Sequence, residues 1–138
     1  GGISGNAGLF GTTSDLAKLM QMYLQMGKYG GERFISDSTF KEFTKHQYSK
    51  SGNRRGLGFD KPLLENKKNG SCAYSASDKS FGHSGFTGTL CWADPSNGTV
   101  FIFLSNRNCP SSENWKINDL RIRPKIQEEI YKLFPIKP

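Results

Sequence analysis

Apolar side chains first recur at helical spacing near the start of the chain. Leu16, Leu19, Met20, Tyr23 and Leu24 share a periodicity that predicts a helix. The preceding Gly11-Thr12-Thr13-Ser14-Asp15 offers hydroxyls and a carboxylate to the orphan N–H groups of a helix start, and Gly27 is placed to end it. A shorter helix is predicted from Ser36 or Asp37, with Phe40 and Phe43 facing inward. Residues 44–56 are polar and loop-like. Gly56-Leu57-Gly58-Phe59 predicts a short strand whose glycines permit close backbone approach. Residues 60–80 carry little apolar content and predict a long loop, of a length that often borders a functional site.

The pattern then changes to β. Phe81 to Ala93 and Thr99 to Ser105 are two β-rich runs separated by Asp94-Pro95-Ser96-Asn97-Gly98, a proline and Asn-Gly turn that predicts an antiparallel hairpin. Val100-Phe101-Ile102-Phe103-Leu104 is apolar on both faces, which predicts a strand covered on both sides. A closing helix carries Ile126, Ile130, Leu133 and Phe134 on one stripe, with Pro124 in its first turn or at a kink. Two helices, a strand, a hairpin and a last helix imply an α+β fold, an antiparallel sheet covered by helices.

The 138 residues are the size of one ordinary domain. No apolar run approaches the ~20 residues of a membrane span, and no basic start followed by an apolar stretch marks a signal peptide. The opening Gly1-Gly2-Ile3-Ser4-Gly5 is unlike a start of translation, which predicts a fragment or processed chain. The net charge of +7 invites a nucleic-acid reading, but the cations are scattered, as Arg54-Arg55, Lys67-Lys68, Arg121 and Arg123, without interleaved aromatics. A solvated basic surface is the better explanation, and no nucleic-acid partner is expected. Cys72, Cys91 and Cys109 are widely spaced, and only His46 and His83 could join them. No metal or cofactor site is expected, and the thiols are either one disulfide with one free thiol or three idle thiols.

Gly82-His83-Ser84-Gly85-Phe86-Thr87-Gly88-Thr89 is the densest cluster of chemically capable residues. Its glycines either let a backbone or ligand come close or form a bulge beside a core histidine. A Gly-x-Ser-x-Gly nucleophile elbow at Ser84 fails, because position 86 is Phe and no histidine follows His83 to act as base.

His83-Ser84-Gly85 resembles instead the His-x-Gly triplet that replaces Lys-Thr-Gly in the esterase and class C branches of the β-lactamase-related serine hydrolases. Three further segments resemble the same family, in the same order. Ala7-Gly8-Leu9-Phe10-Gly11-Thr12-Thr13-Ser14-Asp15-Leu16-Ala17 is similar to its Ala-Gly-Leu-Phe-Ser-Thr-x-x-Asp-Leu-Ala helix start. Gly56-Leu57-Gly58-Phe59 is similar to its Gly-Leu-Gly-aromatic strand, and Leu104-Ser105-Asn106-Arg107 to its Leu-Ser-Asn-Arg strand end. Asn6 stands where the family has His before Ala-Gly.

The resemblance implies that residues 1–138 are a single C-terminal fragment of a β-lactamase/transpeptidase-like domain, with the Ser-x-x-Lys nucleophile helix and a Tyr-x-Asn or Ser-x-Asn element upstream. Ser38-Thr39-Phe40-Lys41 and Ser51-Gly52-Asn53 match the missing elements literally, but Ser38 is explained by capping a short helix. The complete enzyme would act through an acyl-enzyme on an amide, β-lactam or ester. His83 would take the place of the Lys, and the Phe86 backbone N–H would be one of two oxyanion donors. Ser84, Gly85 and Thr87 would line the substrate cleft. Hairpin geometry separately places Asn106 and Arg107 opposite residues 86 and 87, where Arg107 would attract a substrate carboxylate or make a structural ion pair. The expected partners are the upstream half of the same protein, a small-molecule or peptide substrate, and a second copy in a swapped dimer. A periplasmic or exported location is the family's habit. The alternative is a non-catalytic ligand-binding or assembly module that keeps the fold, and upstream Ser-x-x-Lys would separate the two.

Overall fold

The computed structural model describes Gly5 and residues 8–136. Helix α1 spans Thr13–Leu24 and opens on a capping box. The Asp15 N–H donates to the Thr12 hydroxyl at 3.2 Å, and the Thr12 N–H donates to the Asp15 carboxylate at 3.3 Å. The helix ends before Gly27, which takes φ +86°. Strands β1 (Lys28–Tyr29) and β2 (Glu32–Arg33) then form a small hairpin, too short to leave a period in the sequence. Helix α2, Asp37–Thr44, starts where the Ser36 hydroxyl accepts the Thr39 N–H at 3.1 Å. Strands β3 (Phe81–Ser84), β4 (Leu90–Asp94) and β5 (Thr99–Phe103) follow, then α3 (Lys116–Asp119) and α4 (Ile122–Leu133).

The three strands form an antiparallel sheet in the order β3-β4-β5. Alternation along them divides the core in two. Leu90, Trp92, Phe101 and Phe103 face Cys72, Ala73, Ala76, Ile130, Tyr131 and Ile136. Phe81, Cys91, Ala93 and Val100 face Met20, Tyr23 and Leu24 of α1, Phe40 of α2, and Phe59. Phe81 is wholly buried, and the rings of Phe59, Phe40 and Tyr23 meet it edge-on at 5.1, 5.5 and 6.4 Å. The α+β architecture, an antiparallel sheet covered by helices, is therefore the one expected.

Several local expectations are corrected. The run from Phe81 to Ala93 is two strands, because Gly85 to Thr89 loop out, closed by Gly85 N–H donating to Thr89 O at 2.9 Å. Residues 56–59 are a bend rather than a strand, and only Asp60 reaches the sheet, exchanging backbone hydrogen bonds with Gly82 at 2.7 and 3.1 Å. The polar segment 60–80 is the long loop expected, with one 3-10 turn at Lys67–Asn69, but it packs into the core, since Asp60, Lys61, Cys72, Ala73, Ala76 and Ser80 are all buried. Leu19 and Phe43 are exposed despite their spacing, and on β5 only Phe101 is fully buried. Pro124 lies in the first turn of α4.

Helix α4 turns a different face inward from the one its apolar residues suggest. Gln127 and Tyr131 are buried and Ile130 half-buried, whereas Ile126, Leu133 and Phe134 are exposed. Polar partners decide the rotation. The Gln127 side-chain carbonyl accepts the Ala73 N–H at 2.9 Å, and the Tyr131 hydroxyl donates to Asp94 at 2.8 Å. Asp94, also fully buried, takes further bonds from Ser77 N–H and Oγ at 2.8 and 2.6 Å.

Two predictions follow from this packing. A Cβ on Gly82 would overlap the Cys91 carbonyl and the Trp92 ring, whereas Gly11 has nothing within 4 Å. Gly82→Ala is expected to cost about 3 kcal/mol in urea unfolding and Gly11→Ala about nothing. Lys61 is buried with its ammonium donating to Lys79 O at 3.1 Å, and burial pulls its pKa down to about 8. The unfolded chain therefore holds this proton where the folded chain has released it, so stability gains from Lys61 as pH rises above 8. The buried Cys72 thiol, pushed up to about 12, opposes this above its ordinary range near 9. Between pH 8 and 9 the net gain is expected to be up to about 1 kcal/mol, and Lys61→Met is expected to abolish it in the same denaturation series.

Candidate active site wall

Strand β3 is an edge of the sheet, and its last residues reach solvent. His83 lies on the same face as Phe81 and pairs across the strands with Cys91. Its Nδ1 lies 2.8 Å from the Ser84 carbonyl and its Nε2 2.6 Å from Arg55 Nη1. A carbonyl can only accept and a guanidinium can only donate, so Nδ1 carries the proton and Nε2 offers its lone pair to Arg55. The ring is thereby tied at both nitrogens, and Arg55 brings a guanidinium to the strand end.

Arg55 is held in turn by a buried carboxylate. Asp60 is about 1% exposed and lies 3.7 Å from Arg55 Nε. It accepts hydrogen bonds from Arg54 Nη2 at 3.0 Å, Ser71 Oγ at 2.7 Å and Lys61 N–H at 3.1 Å. Arg54 Nε stands 2.6 Å from the same carboxylate, an ionic contact without hydrogen-bond alignment. One carboxylate thus gathers both arginines beside β3.

The loop beyond β3 is fixed from the other side. Arg107 is buried, with its backbone N–H donating to Thr87 O at 2.8 Å and its Nε to Phe86 O at 2.7 Å. Its guanidinium lies 4.3 Å from the Phe86 ring centre and 3.6 Å from that of Trp115. Nη1 donates to Ser112 O at 2.5 Å. Arg107 thus clamps the Phe86 loop to the segment before α3, and among the described residues it makes no ion pair. The expected proximity of residues 106 and 107 to residues 86 and 87 is therefore present. Asn106 is exposed and turns its side-chain carbonyl to the Asn108 N–H at 3.0 Å.

Phe86 is exposed, and no acceptor among the described residues takes its backbone N–H. Ser84 is half-buried and Gly85 exposed beside it. The space over Gly82, Gly85 and Gly88 is filled by protein, namely Cys91 and Trp92, Thr89, and Ser105 in turn. The glycines thus serve close packing of the chain on itself. Ser38 is an exposed residue of α2 bonded to Ser36 at 3.0 Å, and Ser51 belongs to an exposed turn. All three cysteines are free thiols. Asn6 and Ala7 lie outside the described residues. No helix among those described is long and apolar enough to cross a membrane.

The profile of the β-lactamase family matches residues 1–122. The chain belongs to the β-lactamase family. A Salmonella enteritidis relative that bears the name D-alanyl-D-alanine carboxypeptidase is 38% identical over 124 residues, 86% of this chain and 27% of the relative. A Salmonella paratyphi B relative of the same name is 37% identical over the same lengths. The chain thus spans about a quarter of the curated relatives it matches. A β-lactamase structure from Mycobacterium bovis superposes with a TM-score of 0.62 over 89% of this chain and 44% of its own, at 20% identity. A penicillin-binding protein homologue from Caulobacter crescentus gives 0.50 over 66% and 24%, at 26% identity.

In this β-lactamase-family chain, sequence reasoning missed Arg55, Asp60, Ser71 and Trp115. The available signal was a carboxylate set among Arg54, Arg55 and Lys61 directly after the Gly-Leu-Gly-Phe segment. Asp60→Asn would strip the buried charge from two guanidinium partners. It is expected to lower stability by about 3 kcal/mol in guanidinium unfolding and to release the Arg55 contact, read as a shift of the His83 ring resonances.

Proposed function

We propose that this chain forms one wall of the active site of a serine hydrolase that works through an acyl-enzyme. The observation that carries the reading is the Phe86 N–H, which has no acceptor among the described residues and is held on a clamped loop immediately after His83-Ser84-Gly85 at an open sheet edge. A donor fixed before the reaction stabilises oxyanion charge without reorganisation. In this reading a serine from a Ser-x-x-Lys helix outside the chain attacks the substrate carbonyl. The carbonyl oxygen gathers negative charge against Phe86 N–H, the leaving group departs, and water resolves the ester.

His83 donates its Nδ1–H to the Ser84 carbonyl and, with Arg55, sets a positive potential beside the reacting oxygen. Ser84, Gly85, Thr87 and Asn106 supply the binding surface, and Arg107 positions the loop. The Salmonella relatives favour a peptide ending in D-alanyl-D-alanine over a β-lactam or a simple ester as substrate. An exported, periplasmic location follows the habit of the β-lactamase family. The rest of the active site comes from the upstream half of the protein or from a second copy by swapping.

A serine-reactive fluorophosphonate read by intact mass tests this. The 138-residue chain is expected to take no adduct, and a gene product extended upstream through Ser-x-x-Lys is expected to take one. An adduct on Ser38 would overturn the proposal. In the extended protein, Phe86→Pro removes the N–H and is expected to slow acylation about a hundredfold or more, whereas Phe86→Ala keeps the donor and most of the rate.

A further inference from the structure

Beside Arg54, a cleft of about 210 Å³ is lined by Arg54, Ser71, Asn118, Arg121 and Arg123, with no carboxylate among its lining residues. We propose that this cleft is a binding site for a small oxyanion, a carboxylate or phosphate group, independent of the reading above.

The first argument is charge. Of the three guanidinium groups, only Arg54 has an acidic partner, Asp60, while Arg121 and Arg123 make no ion pair among the described residues. Each guanidinium carries five N–H donors, and protein atoms use few of them. Arg121 Nη2 donates to Gly70 O at 2.8 Å, and Arg123 Nη1 to Thr89 O at 3.1 Å, with Nη2 on the Asn118 side chain. Arg123 Nε is buried with no hydrogen-bond partner among the described residues. Burial and the nearby Arg107 pull the Arg123 pKa down, as expected of a cation short of counter-charge.

The second argument is backbone. Arg121 is the N-cap of the twelve-residue α4 and sits in the left-handed region, φ +53° and ψ +41°, where a non-glycine residue is strained. It offers no side-chain cap, and the first turn holds no acidic residue. Arg121, Arg123 and Lys125 instead crowd the positive end of the helix dipole, opposite to the ordinary preference. The N–H groups of Ile122 and Arg123 have no acceptor among the described residues. An oxyanion in the cleft would answer both the charge and the helix end: it neutralises the arginines and sits against the positive end of α4.

The test uses the 138-residue chain and inorganic phosphate at constant ionic strength, followed by ¹H–¹⁵N spectra of the arginine Nε–H groups and the amides of Ile122 and Arg123. Saturable shifts confined to the cleft, half-complete below about 10 mM, are expected. Acetate in a parallel series shows whether a planar carboxylate serves as well as a tetrahedral phosphate, and saturation by either one sustains the site. Arg121→Asn removes one cation while tolerating the left-handed backbone, so it is expected to fold and to weaken binding about tenfold. Arg123→Gln is expected to weaken it at least as much, and should that variant not fold, Arg121→Asn decides alone. Linear shifts without saturation for both anions would overturn the proposal. So would saturation unchanged in a folded Arg121→Asn variant.

Discussion

A carboxylate removed from water is tolerable only where cations and hydrogen-bond donors replace the solvent, and Asp60 meets that requirement with groups from several parts of the chain. Its backbone stitches the 54–60 segment to Gly82 on β3, and its side chain draws in Arg54, Arg55 and Ser71. Arg55 then fixes the ring of His83, and Arg54 forms a wall of the basic cleft beside α4. The orientation of the strand end and the shape of the cleft therefore both depend on one buried negative charge.

Asp94 plays a matching part on the same face of the sheet, two residues beyond Trp92 on β4. Bonds from Ser77, Ser96 and Tyr131 satisfy it and tie the polar 60–80 segment, the β4–β5 turn and α4 into one layer. The chain reaches its core through polar residues that bring partners with them, as well as through apolar stripes. This is how a segment poor in hydrophobic residues comes to be buried.

The elements governed by local chemistry were legible in the sequence. The helix starts at Thr12 and Ser36 follow from capping, and the β4–β5 hairpin follows from its Pro and Asn-Gly turn. The nearness of Arg107 to Phe86 and Thr87 follows from counting across that turn. The exposed face of α4 was not legible, because Gln127 and Tyr131 are oriented by Ala73 and Asp94, more than thirty residues away in each case. The Asp60 cluster escaped for a different reason: its partners are close in sequence, but loop residues joined by charge leave no period. Trp115 was missed because stacking on Arg107 depends on how two loops meet, and neither loop announces it.

The clamp on the Phe86 loop comes from Arg107, whose position is measured out from the β4–β5 turn through every residue of β5. That makes the turn a remote adjuster of the site. One residue added between Asp94 and Thr99 would slide β5 along β4, exchange its inward and outward side chains, and carry the guanidinium away from the Phe86 carbonyl. Length in that turn is accordingly constrained even though nothing there touches the candidate site, while its side chains remain free to vary wherever the turn geometry and the Asp94 bonds are kept.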